Sequence, residues 1–280
     1  MTRTDPLARV GHADPRDVDR LARDLAALRV RAGQDLLVHC SMRRIGPVAG
    51  GPATLLAALR RVAGPDATVV VPAQTVGTSP TGPVFRAATE GMDAAGRAAY
   101  EARLAGFDPM TTPSEGMGVF AEHVRRQPGA ARSNHPITSF AALGRRAAEL
   151  TEVHDLDCHL GERSPLGRLY AGGAAVLLLG VGYDRCTALH LAEYRPGARR
   201  PPGPPPERAY RCYVLVDGSR ERRDFRAPTL DATDFPELGA AIEAHLPVAH
   251  GLVGAAPSRL LDLRAAVDFA TTWMAGHRRP

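Results

Sequence analysis

Three short, unbroken apolar runs, interleaved with amphipathic helical patterns, constrain this chain more than any other feature. Asp35-Leu-Leu-Val-His-Cys40, Thr68-Val-Val-Val-Pro72 and Ala174-Ala-Val-Leu-Leu-Leu-Gly-Val181 are short and lack the polar alternation of a half-exposed sheet, so they read as strands covered on both faces. Between the first two, Leu55, Leu56, Leu59 and Val62 recur at helical spacing, and Gly64-Pro-Asp66 turns the chain into the second run. A strand, helix and strand in that order require a crossover, hence parallel pairing. The chain is therefore predicted to be α/β, with a mixed, largely parallel central sheet flanked by helices.

The rest of the chain fills in around that frame. Asp14-Pro15 reads as a cap and first-turn proline for a helix reaching about Arg29, with Val18, Leu21, Leu25 and Leu28 on one face. Short helices are predicted over 117–124 and 140–150, and another over 187–194 with Thr187 as its cap. A closing helix is predicted over 258–274, with Leu261, Val267, Ala270 and Trp273 inward. Tyr210 to Val216, the Asp217-Gly218 turn and Arg222 to Phe225 read as a hairpin, and six prolines make 195–206 an extended connector. Residues 73–113, rich in Thr, Gly and Pro, read as a long excursion covering a site. With 280 residues and no internal repeat, one domain over 1–280 is expected.

Composition narrows the functional classes. The chain is 44% hydrophobic and 23% charged, which is ordinary globular usage, and its net charge of +5 is too diffuse to argue for nucleic acid. No signal pattern opens the sequence and no run approaches the roughly 18 apolar residues of a membrane span, so a cytoplasmic protein with no membrane partner is expected. Cys40, Cys158, Cys186 and Cys212 are scattered without metal-type spacing, which predicts reduced thiols and no metal.

Two segments could carry chemistry. His190 and Glu193, three residues apart on a helix just beyond the 174–181 strand, share a face at the end of the sheet where α/β folds place ligands. A carboxylate could hold the imidazole in one tautomer and raise its basicity, although a surface ion pair has the same spacing. Cys186, four residues before His190, admits a Cys–His nucleophile reading or a small buried apolar residue. The loop Ser41 to Gly51, with Arg43 and Arg44, could cradle a pyrophosphate or be a solvated basic turn. It carries neither G-x-G-x-x-G nor a lysine phosphate loop.

Several ordered motifs go further. Leu37-Val-His-Cys-Ser-Met-Arg-Arg-Ile-Gly46, then Gly50-Gly51 and Gly64-Pro-Asp-Ala-Thr68, resemble the opening of the aminoglycoside 3-N-acetyltransferase family. Its middle is matched by Arg132-Ser-Asn-His-Pro136, Ser139-Phe-Ala-Ala-Leu-Gly144, Asp157, Ser164-Pro-Leu-Gly-Arg-Leu-Tyr170 and Thr187-Ala-Leu-His-Leu-Ala-Glu193. Its tail is matched by Asp234-Phe-Pro-Glu-Leu-Gly239 and Gly251-Leu-Val-Gly-Ala255. The resemblance spans nearly the whole chain and implies an antibiotic N-acetyltransferase fold distinct from the histone-type acetyltransferases. It implies transfer of an acetyl group from acetyl-coenzyme A, with no metal, to an amine of an aminoglycoside or related amino sugar, by default the 3-amino group.

By the same resemblance His190 is the general base, with Glu193 and Asp157 as acidic partners. His39, Cys40, Ser41, Met42, Arg43, Ile45 and Ser133 would meet the coenzyme, and Asp157, Glu193, His135, Thr75 and Asp108 the substrate. Asp93 and Glu101 are further carboxylates of the excursion that could grip a polycation. The chain departs from the family pattern at Cys40, where serine is usual, and at Cys186, where asparagine is common. An acyl-enzyme formed on Cys40 or Cys186, or a non-catalytic antibiotic binder, are the rival readings. A symmetric homodimer is the general expectation for a soluble enzyme.

Overall fold

The structure is a computed structural model that describes residues 16–199 and 203–278. Its elements run α1 (Val18–Ala27), β1 (Leu36–Cys40), α2 (Met42–Ile45), α3 (Pro52–Ala63), β2 (Thr68–Pro72), α4 (Pro83–Ala88), α5 (Ala94–Ala102), α6 (Gly118–Arg125), β3 (Ala131–Arg132), β4 (Phe140–Gly144), α7 (Ala147–Thr151), α8 (Pro165–Ala171) and β5 (Ala175–Leu179). They continue through α9 (His190–Glu193), β6 (Glu207–Val216), β7 (Ser219–Pro228), α10 (Phe235–His245), β8 (Ala249–Val253), β9 (Ala256–Asp262) and α11 (Leu263–His277). No helix among the described residues is long and apolar enough to cross a membrane.

The main sheet has the order β3-β4-β2-β1-β5-β9-β8. The three apolar runs are its centre: β1 pairs in parallel with β2 and β5, while β4 and β9 flank them antiparallel. Strand alternation divides each run between two cores. Leu36, Val38, Val69, Val71, Leu177 and Leu179 join the cluster under α1, α3 and α6. Leu37, Val70, Val176 and Leu178 join the cluster under α7 to α11. Burial on both faces is why these strands read as continuous apolar runs.

Asp35 anchors this centre: it accepts from Thr68 N at 2.8 Å and from the Arg146 guanidinium at 2.7 Å, tying the starts of β1 and β2 together. The predicted cap at 14–15 lies outside the described residues; within them α1 is capped by Asp17, which accepts from Arg20 N at 2.8 Å.

Two predicted helices are corrected in part. Residues 140–144 form β4, and only Ala147–Thr151 is helical. Phe140 and Ala142 face one core and Ala141 and Leu143 the other, so pairing with β2 overrides the helix propensity of the alanines. Residues 258–262 likewise belong to β9, paired to β5, and α11 begins at Leu263, where Asp262 accepts from Ala265 N at 2.8 Å. The hairpin forms as β6–β7 in its own two-stranded sheet.

The 73–113 excursion holds α4 and α5 and is stitched to that hairpin. Tyr213 N donates to Thr78 O at 3.0 Å, and Phe107 N donates to Tyr213 O at 2.8 Å. Its two ends are held by Arg132, whose guanidinium donates to Ala73 O and Thr112 O. Glu115 closes the same gap by accepting from Val76 N at 3.1 Å and Gly77 N at 2.9 Å.

Candidate active site

β1 and β5 end side by side, and the segments that leave them build the site. After Leu179 the chain turns at Gly180, whose φ of +64° and close approach to Arg44 and Ala256 leave no room for a side chain. Arg44 donates to Gly180 O at 3.1 Å, pinning α2 against this turn. Two short 3-10 turns then lead into α9. Thr187 does not cap α9 with its side chain as predicted; its hydroxyl lies 3.3 Å from His39 Nε2 at the end of β1.

His190 and Glu193 sit on the single turn of α9. His190 Nδ1 and Glu193 Oε2 are 2.5 Å apart, so a carboxylate there fixes the Nδ1–H tautomer and leaves the Nε2 lone pair free. The imidazole packs on Phe235 with ring centroids 4.7 Å apart, and is 15% exposed against 2% for Glu193. Glu193 is thus a buried carboxylate, and its remaining oxygen is fully engaged: Oε1 accepts from Asp231 N at 3.1 Å and from the Arg278 guanidinium. Arg278 also pairs with Asp234 at 2.6 Å and donates to Asp231 O at 2.7 Å. Arg199 donates to the Glu193 carbonyl at 2.7 Å.

The loop after β1 is built differently. Ser41 precedes α2 without a side-chain capping bond, and Arg43 is exposed with no ion pair among the described residues. Gly118, at the start of α6, lies close enough to Cys40 O that an added Cβ would sit at 3.5 Å. A groove of about 830 Å³ continues from there, lined by Ser114, Gly116, Gly118, Val119, His123 and Arg126 among others. Ile45 turns inward, fully buried, with its carbonyl accepting from Ala255 N at 2.9 Å. His39 is buried and, by desolvation, its imidazole is pushed down to about 3, so it is neutral.

Neither cysteine of the rival reading is activated. Burial pushes both the Cys40 and the Cys186 thiol up to about 12, and no hydrogen bond joins either to His190 among the described residues.

Ser133, His135 and Thr75 are wholly buried and their polar atoms are committed inside the protein. Thr75 donates to Pro136 O at 2.8 Å; His135 Nδ1 accepts from Ile137 N and Thr138 N, each at 3.1 Å, and Nε2 donates to Leu156 O at 3.3 Å. Ser133 bridges Phe140 N and His154 Nδ1, at 2.9 Å each, and His154 Nε2 donates to His159 O at 2.7 Å. They form a polar cluster, with His154 and His159, that fixes the backbone around the Arg132–Pro136 motif.

Asp157 is exposed and paired with Arg163 at 2.6 Å, with no bond to His190 or Glu193. Asp108 closes a turn by accepting from Met110 N at 2.7 Å; Asp93 caps α5, and Glu101 accepts from Tyr213 OH at 2.7 Å. Among the described residues no group of three His, Cys, Asp or Glu could hold a metal ion. Nothing in the sequence singles out Arg278, Asp231 or the His154–His159 pair. Asp234 and Phe235 belong to a recognisable tail motif, but no local signal assigns them to the site.

Known proteins resemble this chain in sequence and in fold. The family model described as aminoglycoside 3-N-acetyltransferase matches residues 37–275. The chain is 38% identical to aminoglycoside N(3)-acetyltransferase VII of Streptomyces paromomycinus over 96% of each chain. It is 36% identical to the aminoglycoside N(3')-acetyltransferase-like protein YokD of Bacillus subtilis over 92% of each. The crystal structure of YokD superposes with a TM-score of 0.86, covering 95% of both chains. Two solved complexes are also similar, each with a TM-score of 0.78: AAC-IIIb with CoASH, at 31% identity over 92% of this chain and 96% of that one, and AAC-VIa bound to sisomicin, at 30% over 94% and 98%.

Proposed function

The chain belongs to the aminoglycoside 3-N-acetyltransferase family, and from that membership we propose that it moves the acetyl group of acetyl-coenzyme A onto an aminoglycoside amine, by default the 3-amino group, with His190 as the general base. The observation that carries this reading is the His190–Glu193 pair: a solvent-reachable imidazole whose Nδ1 is held by a buried carboxylate, at the ends of β1 and β5.

An aliphatic amine is mostly protonated at neutral pH and must lose a proton before or during attack. His190 Nε2 is the acceptor for that proton, and Glu193 stabilises the imidazolium that forms. Acetyl-coenzyme A, when bound, supplies a thioester carbonyl and a thiol leaving group. The residues at the β1 end fit such a molecule: Ser41 has a hydroxyl not used in capping, Arg43 is an exposed cation suited to phosphate, and Gly118 brings no side chain up to the Cys40 carbonyl. The relative solved with CoASH and the one solved with sisomicin support donor and acceptor of this kind.

The test is thiol release from acetyl-coenzyme A against a panel of aminoglycosides, with the acetylated nitrogen located by mass spectrometry and NMR. Turnover at the 3-amino group of a deoxystreptamine is expected. Antibiotic binding with no turnover of any acetyl donor would replace this reading with that of a sequestering binder. Direct transfer also predicts that Cys40→Ala and Cys186→Ala each keep turnover within about threefold, since neither thiol is a poised nucleophile. A folded cysteine variant that loses activity, with an acetylated thiol trapped in the parent, would establish the acyl-enzyme route instead.

A further inference from the structure

The carboxylate behind His190 is itself held by a residue 85 positions away in sequence. Glu193 is 2% exposed and uses each oxygen differently: Oε2 meets His190 Nδ1 at 2.5 Å, while Oε1 takes Asp231 N and the Arg278 guanidinium. Arg278 follows α11 and is half-buried, with bonds to both oxygens of Asp234 at 2.6 Å and to Asp231 O at 2.7 Å. A guanidinium bound on several sides at once has little freedom to swing away, and its planar fork presents one N–H to Glu193 while three others are held by Asp234 and Asp231 O.

The charged groups that face this pair come from three elements. Asp231 and Asp234 lie in and beyond the segment leading to α10, Arg199 follows α9 and donates to the Glu193 carbonyl, and Arg278 follows α11. Two carboxylates besides Glu193 and two guanidinium groups are thus gathered behind Glu193, and Arg278 is the one whose charged group touches the Glu193 carboxylate. Without that cation Oε1 would keep only the bond from Asp231 N, so the carboxylate would be less firmly oriented and would impose its full charge on the imidazole.

We propose that Arg278 is a positioning residue of the acetyl-transfer site: it holds Glu193 Oε1 so that Oε2 stays on His190 Nδ1, and its charge moderates how tightly His190 holds a proton. This rests on the reading of His190 as the base. Glu193 alone favours the imidazolium; the Arg278 cation opposes it. Removing the cation raises the proton affinity of His190, so a base that must be unprotonated to act becomes active only at higher pH.

The experiment compares parent, Arg278→Gln and Arg278→Lys for folding by circular dichroism, the pH profile of kcat/KM, kcat, and the His190 ring titration by NMR. In Arg278→Gln the acid limb is expected to move to higher pH than the parent's, with kcat falling about tenfold as Glu193 loses its orientation. Arg278→Lys keeps the charge but not the fork, so its acid limb stays near the parent's while kcat falls partway. A folded Arg278→Gln with the parent's acid limb, ring titration and kcat would overturn the proposal. His190→Gln separates the two levels of argument. If it keeps turnover, the base reading falls and the role of Arg278 in catalysis with it; if it is inactive while Arg278→Gln matches the parent, the Arg278 role alone fails.

Discussion

His190→Gln is expected to lower kcat/KM by about 10³-fold while leaving the fold intact, because proton removal by a positioned base is worth that order of rate. The side chain is 15% exposed and packs on Phe235, so a glutamine of similar reach can occupy its place without opening a large cavity. What the variant loses is the Nε2 lone pair. The pH profile distinguishes this from a packing defect: the parent's acid limb, which reports protonation of the base, should vanish with the residue. Raising pH should then recover activity gradually, as the free amine becomes abundant without help. Glu193→Gln should cost less rate and more stability, since it leaves the Arg278 guanidinium beside a neutral amide in a buried setting. A His190→Gln enzyme within tenfold of the parent, with an unchanged acid limb, would remove His190 from the chemistry.

The second large effect is on stability, and it comes from four histidines that sit inside the protein uncharged. Burial pushes His39 and His159 down to about 3 and His154 to about 4, and it lowers His135 well below its ordinary value, helped by the neighbouring His154 and His159. Each of these folded values lies below the unfolded value near 6.5, so the unfolded chain binds more protons and stability falls as pH falls below about 6.5.

At pH 5 the three with stated values cost about 2 kcal/mol each, about 6 kcal/mol together. His135 adds to this in the same direction. That sum is comparable with the whole stability of an ordinary domain, about 5–15 kcal/mol. Burial raises the Glu122 carboxyl, but the hydrogen bonds from Arg125 and Ser114 and the Arg125 charge together outweigh it and hold it down to about 2, so it does not titrate in this window.

The thermal midpoint should therefore be level between about pH 7 and 8, below the range in which the buried thiols begin to titrate in the unfolded chain, and drop steeply between pH 6.5 and 5. His159→Phe should lessen the drop. Its ring packs against Tyr210 and Phe225 with centroids 4.5 and 5.7 Å away, and its Nε2 has no hydrogen-bond partner among the described residues. A phenylalanine keeps those contacts and removes one of the protons. A midpoint that stays level down to pH 5 would contradict the picture of neutral buried imidazoles.

Much of the site is legible in the sequence because it is local. His190 and Glu193 are one helical turn apart, and that spacing alone puts them on one face; the structure joins them at 2.5 Å. The strands β1, β2 and β5 are legible for a related reason, since burial on both faces leaves an unbroken apolar signature within five residues. Residues 140–144 and 258–262 are not, because alanine and leucine suit a helix as well as a strand, and the neighbouring strand decides between them. The motif around Arg132 and His135 is visible as a pattern, yet its role is not. Arg132 clamps the ends of the excursion, and the His135 cluster holds backbone, neither of which residue type and spacing reveal.

By itself, then, the sequence determined the parallel centre of the sheet, the family, and the imidazole–carboxylate pair, all of which rest on periodicity, ordered motifs or a spacing of a few residues. Only the tertiary structure decided that Ser133, His135 and Thr75 point inward, that Asp157 pairs with Arg163, and that Arg278 returns to grip Glu193. Those depend on which distant backbones lie side by side. A guanidinium 85 residues from its carboxylate leaves no periodic trace, because the contact is made by the packing of α11 against α9 and not by any step along the chain.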